Sequence, residues 1–323
     1  MVDVPLDGSY IPGFDRGELR LDSFALNKPS RLHKGGIVST ADKVIVNLCP
    51  TGMVPRRAKV PAVPITPEEI AADVRRCRDA GAAMVHLHAR DDNEEPTWHP
   101  ERFAEICDAV ASVAPDLVLV VTTSGRNWSE LDKRSASVRI GGPAKPEMAS
   151  LTLGSMNFAS GPSVNSPETI AGLAAAMREH NVVPELEIFD VGMANYANFL
   201  IERGILTGPH YCNILLGSRG TADVSAANAA AILASLPTDT TWAFAGIGRS
   251  QLAANTLALS LGGHVRVGLE DNPYYDWADR SPATNPRLVE RVVRIAAELG
   301  REPMTPEEAR KTIGLPSVDR AIA

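Results

Sequence analysis

From Ala41 onward, short β-branched runs alternate eight times with Ala-rich stretches of helical length, and this alternation restricts the possible folds more than any other feature. Brief apolar runs bounded by polar turns read as buried strands, and strand–helix alternation builds a parallel sheet covered by helices. The predicted strands are Val44–Leu48, Met84–His88, Leu117–Thr122, Ser150–Leu153, Glu185–Phe189, Tyr211–Leu216, Thr241–Ala245 and His264–Leu269. The predicted helices are Pro67–Ala80, Pro100–Val113, Glu130–Val138, Pro167–Glu179, Met193–Arg203, Asp223–Ala234, Ser250–Leu261 and Pro286–Leu299. Thr66-Pro67-Glu68-Glu69 marks one start with an N-cap hydroxyl, a proline at the first helical position and a glutamate that closes a capping box. Thr305-Pro306-Glu307-Glu308 repeats that design and predicts a short C-terminal helix.

Eight rounds in a chain of 323 residues fit an α/β fold of the (β/α)8 TIM-barrel type, typically about 250 residues. A doubly wound sheet would need a glycine-rich phosphate loop after its first strand, where this chain has Cys49-Pro50-Thr51-Gly52. The barrel is therefore expected over residues 41–323. Residues 1–40 carry no strand or helix period and read as an extension, an arm wrapping the barrel or a neighbouring subunit.

An excess of 39 acidic over 32 basic residues gives a charge of -7, which provides no field to attract nucleic acid. No apolar run is long enough for a membrane span, and Asp3, Asp7, Asp15 and Glu18 occupy the place of a signal peptide's apolar core. A cytoplasmic protein without a nucleic-acid or membrane partner is expected. Cys49, Cys77, Cys107 and Cys212 form no C-x-x-C pair and read as buried, reduced thiols, with packing favoured over a nucleophilic role for Cys49.

In a TIM barrel the reacting groups gather at the C-terminal ends of the strands. His86 and His88 lie two apart at the end of the second predicted strand, so both imidazoles face inward while Val85 and Leu87 pack outward. Such a pair suits a divalent cation; a pair of hydrogen-bonded core histidines is the plainer alternative. Arg266, Gly268 and Glu270 share a face on the eighth strand, near the second round a closed barrel, so Glu270 completes a two-imidazole, one-carboxylate set with open positions, and Gly268 leaves room beside it. Asp271 has the opposite parity; a turn could bring it to Arg266 as a general base or as a structural ion pair, and parity leaves both open. Thr122-Thr123-Ser124-Gly125 and Thr152-Leu153-Gly154-Ser155 offer donors for a carboxylate. Glu185 and Glu187 both face inward, where a carboxylate requires a partner. Gly246-Ile247-Gly248-Arg249 is a weak phosphate signal, and Arg56, Arg57 and Lys59 read as solvated loop charges.

Pro50-Thr51-Gly52, His86-Leu87-His88-Ala89-Arg90, Thr152-Leu153-Gly154, the strand from Glu185 to Asp190 and the segment from Arg266 to Asn272 together resemble the β-keto acid cleavage enzymes, the family that includes the enzyme acting on 3-keto-5-aminohexanoate. The likeness runs from Val44 to Leu315. It implies a zinc-bearing TIM barrel, usually a homotetramer, that converts a β-keto acid and acetyl-CoA into acetoacetate and a new CoA thioester by Claisen and retro-Claisen chemistry. It implies His86, His88 and Glu270 as zinc ligands, and Asp271 as the base with Arg266 as its partner. It also implies that Ser124, Gly125 and Thr152 hold the substrate carboxylate, and that the family's substrate-site glutamate on the fifth strand corresponds to Glu187 or, less closely, Glu185. Where the aminohexanoate enzyme has a glutamate two positions after Thr-Gly to bind an ammonium, this chain has Met53-Val54. The substrate is therefore expected not to be cationic: an apolar or uncharged acid fits Val54, and an anionic one could sit beside Arg56. Two rival readings share these residues, a metal-dependent aldolase or lyase working without CoA and a metabolite-binding barrel with a structural cation. The second requires a closed coordination shell, against which the open ligand set argues.

Overall fold

The computed structural model describes residues 42–142, 145–158, 161–318 and 320. Strands β1 (Val46–Leu48), β2 (Met84–Leu87), β3 (Val118–Val121), β4 (Met148–Thr152), β5 (Val183–Ile188), β6 (His210–Leu216), β7 (Thr240–Gly246) and β8 (His264–Val267) close into a barrel in chain order. Every neighbouring pair is parallel, including β8 with β1. Around it lie α1 (Pro67–Asp79), α2 (Pro100–Val113), α3 (Leu131–Arg134), α4 (Pro167–Glu179), α5 (Val191–Glu202), α6 (Ala226–Ser235), α7 (Gln251–Ser260) and α8 (Asn285–Glu298), followed by α9 (Pro306–Ile313). The expected (β/α)8 barrel is thus the fold; the expected arm over residues 1–40 lies outside the described residues.

Side-chain alternation sets the two layers of the core. Val85, Leu87, Leu119 and Val121 pack outward among the helices, whereas Met84, Val118, Val120 and Met148 point inward. At the N-terminal end of the barrel these inward residues meet Met304, Ala309, Ile313 and Leu315, so α9 and its flanks plug the end opposite the strand C-termini. Both expected capping boxes form, Thr66 with Glu69 and Thr305 with Glu308, and Gly314 ends α9 in the left-handed conformation at φ 86.

Two expectations need correction. The helix predicted over Glu130–Val138 is one short turn, α3, followed by a 3-10 turn at Ala136–Arg139. The Ser135 hydroxyl donates to the Leu131 carbonyl, the local competition by which serine weakens helix propagation. The eighth strand stops at Val267 rather than Leu269, because Asp271 and Asn272 N–H groups turn back onto the Gly268 carbonyl.

His264, at the start of β8, accepts the Ile45 N–H at 3.0 Å and so ties the ends of the closing strands together. Burial, aided by Arg301, pulls its pKa down to about 3. The folded imidazole therefore refuses a proton that the unfolded one takes up below its ordinary value of about 6.5, so this contribution is present above that pH and is lost on acidification. Between about pH 6 and pH 4 the wild type should lose roughly 2 kcal/mol more stability than His264→Asn, which has no such proton to bind. Urea titrations at the two pH values measure this, and parallel losses in both proteins would remove His264 from that role.

Candidate active site and metal centre

His86 and His88 stand at the C-terminal end of β2, both buried, with ring centroids 5.1 Å apart. The buried Glu185 carboxylate on β5 lies 2.7 Å from His86 Nδ1 and must accept its proton. That contact fixes the tautomer and leaves the His86 Nε2 lone pair facing His88 Nε2 at 3.2 Å. His88 Nε2 is in turn 3.2 Å from Glu270 Oε1. The nitrogen separation is close to the roughly 3.3 Å edge of a tetrahedron drawn with metal–nitrogen bonds of about 2.0–2.1 Å.

Two further observations test the fit of a cation. Glu270 Oε2 is buried with no hydrogen-bond partner among the described residues, an arrangement that is costly unless something positive meets it. Burial and Arg266 push the His86 pKa down, yet Glu185 and Glu270 outweigh both and raise it, so this point favours positive charge. Burial takes His88 down to about 4, leaving it neutral and able to ligate. A divalent cation fits the set His86, His88 and Glu270, whose ligand atoms lie within 4.8 Å of one another. Glu187 and Glu185 also approach His86 closely enough for a second set. Glu185 is already occupied, however: besides His86 it accepts from Asn47 Nδ2 at 2.8 Å and Asn213 Nδ2 at 2.6 Å.

Glu270 does not sit on strand parity as expected, since β8 ends before it. The turn after Val267 delivers both acidic residues to the mouth, which settles how Asp271 faces inward despite its parity. Arg266 lies between them, with Nη2 2.7 Å from Glu270 Oε1, Nε 3.1 Å from Asp271 Oδ2 and Nη1 3.4 Å from Glu187 Oε1. Against burial, His88 and Arg266 hold Glu270 well below the carboxylate range. Burial raises Asp271 from its ordinary value, and the adjacent Glu270 charge works against the pull of Arg266. Two neighbouring carboxylates are thereby pushed apart in acidity, as acid–base sites require.

Glycine positions explain the close packing here. A Cβ on Gly52, which has φ +64, would lie 2.4 Å from Glu270 Cγ. Gly268 does not simply leave room for Glu270: a Cβ there would meet the Cys49 carbonyl oxygen at 2.0 Å, so the glycine lets the ends of β1 and β8 approach. Arg90, fully buried, donates from Nε at 2.8 Å and Nη2 at 2.5 Å to the Gly52 carbonyl and pins this loop.

The remaining expected residues surround the same mouth. Ser124 is half-buried, and its N–H bonds Thr122 Oγ1 at 3.0 Å. Gly125 packs against the Arg134 guanidinium, where a Cβ would come within 2.7 Å. Thr152 Oγ1 donates to Glu187 Oε2 at 2.6 Å, and burial raises the Glu187 pKa. The Gly246–Arg249 segment is not free for phosphate: Ile247 and Gly248 N–H groups bond Leu216 and Asp271 carbonyls. Arg56 pairs with Glu95 at 2.7 Å, and Arg57 with Glu69 at 2.7 Å and Glu94 at 2.8 Å. Cys49 is no nucleophile, because burial and the facing Asp271 push its thiol well up; it donates to Asp271 Oδ2 at 3.2 Å.

Sequence reading missed Asn47, Asn213 and Arg126. Amides inside β-branched strands were a usable signal for the first two. Glu185→Gln should reduce cation affinity by about 10- to 100-fold, because the orienting partner of His86 loses its charge. A competition titration against a chromophoric chelator reads this, and unchanged affinity would take Glu185 out of that role.

Donors converging at the strand C-termini, beside a carboxylate–arginine pair, define an enzyme of the TIM-barrel class. Within that class the chain belongs to the beta-keto acid cleavage enzymes, whose family model matches residues 43–315. It is 38% identical over 276 residues to the 3-keto-5-aminohexanoate cleavage enzyme of Fusobacterium nucleatum subsp. nucleatum, covering 85% of this chain and 98% of that protein. It is 36% identical over 278 residues to the 3-oxoadipate:acetyl-CoA acetyltransferase of Cupriavidus necator, covering 85% and 96%. The solved ternary complex of ObcA with C4-CoA adduct and oxalate has the same fold, with a TM-score of 0.69 at 22% identity over 79% of this chain and 68% of that one. No helix among the described residues is long and apolar enough to cross a membrane.

Proposed function

We propose that the protein cleaves a non-cationic β-keto acid with acetyl-CoA as co-substrate, releasing acetoacetate and a new CoA thioester, with zinc held by His86, His88 and Glu270. The observation that carries this reading is the convergence of those three donors beside Asp271. When bound there, the cation supplies Lewis-acid polarisation of the substrate's keto oxygen and so favours the enolate.

Asp271 serves as the base that takes the C2 proton. Arg266 Nε and the Cys49 thiol both donate to Oδ2, so Oδ1 is the oxygen left to accept it. Burial raises the basicity of this carboxylate, and Arg266 keeps it ionised and oriented. Ser124, the Gly125 backbone and Thr152 hold the substrate carboxylate, with Glu187 fixing the Thr152 hydroxyl. Met53 and Val54 supply no carboxylate for an ammonium group. A homotetramer in the cytoplasm belongs to the same proposal.

The test is to incubate purified, metal-analysed protein with acetyl-CoA and a panel of β-keto acids and to search for new CoA thioesters by mass spectrometry. Acetoacetate formed together with a thioester matching the acid is the expected result. Cleavage without CoA would replace this reading with that of an aldolase or lyase.

A further inference from the structure

Two loops meet at Glu270: the turn after β8, which carries it, and the segment after β1, where a Cβ on Gly52 would press against its Cγ. One side chain that belongs to neither loop reaches both. Asn285, fully buried at the start of α8, accepts the Leu269 N–H at 2.8 Å through Oδ1 and donates through Nδ2 to the Pro50 carbonyl at 3.1 Å. Its Nδ2 also donates to Asp73 Oδ2 at 2.6 Å, and Asp73, buried on α1, is held by Arg76 at 2.7 Å. Turning the amide over would set its oxygen against the Asp73 carboxylate and the Pro50 carbonyl, so its orientation is fixed. The side chain is not used to cap its own helix, since Thr284 is the N-cap of α8 and accepts the Arg287 N–H.

We propose that Asn285, oriented by Asp73, is a positioning residue for Glu270: it fastens the β1 loop to the β8 turn and so presents the carboxylate to His86 and His88. This rests on the reading of those three residues as a cation site. Leu269 directly precedes Glu270 and Pro50 lies two residues before Gly52, so a displaced amide moves both walls of the contact between them. Gln251 and Asn255 on α7 support the same turn through the Gly268 and Arg266 carbonyls, but among the described residues neither has a hydrogen bond to the β1 loop. A ligand is only as well placed as the groups that orient it, and a buried amide with its donors and acceptor all engaged leaves little slack.

The experiment is competition between the protein and a chromophoric chelator for Zn2+. Asn285→Ala should weaken Zn2+ binding by about 10- to 100-fold, the range lost when the partner that orients a metal ligand is removed. Asp73→Leu keeps a helix-forming residue on α1 but leaves the amide unoriented; it should act in the same direction by a smaller factor, and it decides the matter if Asn285→Ala does not fold. Thr284→Ala is the control for α8 itself: loss of the cap should lower the melting temperature and leave the affinity within about twofold of wild type. Unchanged affinity in the folded Asn285 or Asp73 variant overturns the proposal, and so does an equal loss in Thr284→Ala. If the wild type takes up no Zn2+, the cation reading falls separately, and hydrogen exchange decides this one. The Asn285 or Asp73 variant should then exchange faster than wild type in both residues 51–54 and residues 268–272, and faster exchange in one segment alone, or in neither, overturns it.

Discussion

Glu270→Ala is expected to leave the purified protein without its cation and to lower kcat/KM by about 10³- to 10⁴-fold, equivalent to about 4 to 5 kcal/mol of lost transition-state stabilisation. Glu270 Oε2 is buried without a hydrogen-bond partner among the described residues, and Oε1 is shared between His88 and Arg266. Removing it leaves two imidazoles, too few to retain a labile divalent ion against buffer. The turn itself should survive, since Gln251 Nε2 holds the Gly268 carbonyl at 3.0 Å and Asn285 Oδ1 takes the Leu269 N–H at 2.8 Å. Elemental analysis, a melting curve and steady-state rates on one preparation separate metal loss from misfolding. A folded variant with full metal content and wild-type turnover would exclude Glu270 from the site chemistry.

Asp271→Asn should retain the cation and lower kcat by about 10²- to 10⁴-fold, the range that general-base catalysis contributes. The amide is isosteric and its oxygen can still accept from Arg266 Nε, so the geometry of the turn persists while the proton acceptor is lost. Arg266 keeps its contacts to Glu270 and Glu187, which guards against collapse of the metal site. The decisive readout is exchange of the substrate's C2 protons with deuterium, followed by NMR without acetyl-CoA. Exchange at the wild-type rate in the variant would show that some other group takes the proton.

Most of the fold was legible in the chain because each element carries its own local reason to form. β-Branched runs made the strands, and Thr-Pro-Glu-Glu boxes marked the starts of α1 and α9 where they occur. The failures came where local competition shortened an element, as the Ser135 hydroxyl does after α3 and the Gly268 turn does after β8. The His86–His88 pair was legible for the same reason as the strands, since period-two alternation places both on one face. Glu270 reached the expected place by a different route, a turn rather than continued parity.

What the amino-acid order determined unaided was the eightfold alternation, and with it a barrel whose chemistry must lie at the strand C-termini. It also marked His86, His88, Glu270, Asp271 and Arg266 as the residues of interest. Only the closed barrel decided who pairs with whom, because β1, β2, β5, β6 and β8 meet across its interior at separations in sequence that no local pattern encodes. Glu185 is shared among His86, Asn47 and Asn213 in this way, and the Cys49 thiol is turned from a possible nucleophile into a donor to Asp271. The state of Arg126 is of the same kind. Whether a charge is satisfied depends on every group around it in space, so it became visible only when the loops of β3 and β4 were brought together that the guanidinium lies on Phe158 while its Nε has no hydrogen-bond partner among the described residues.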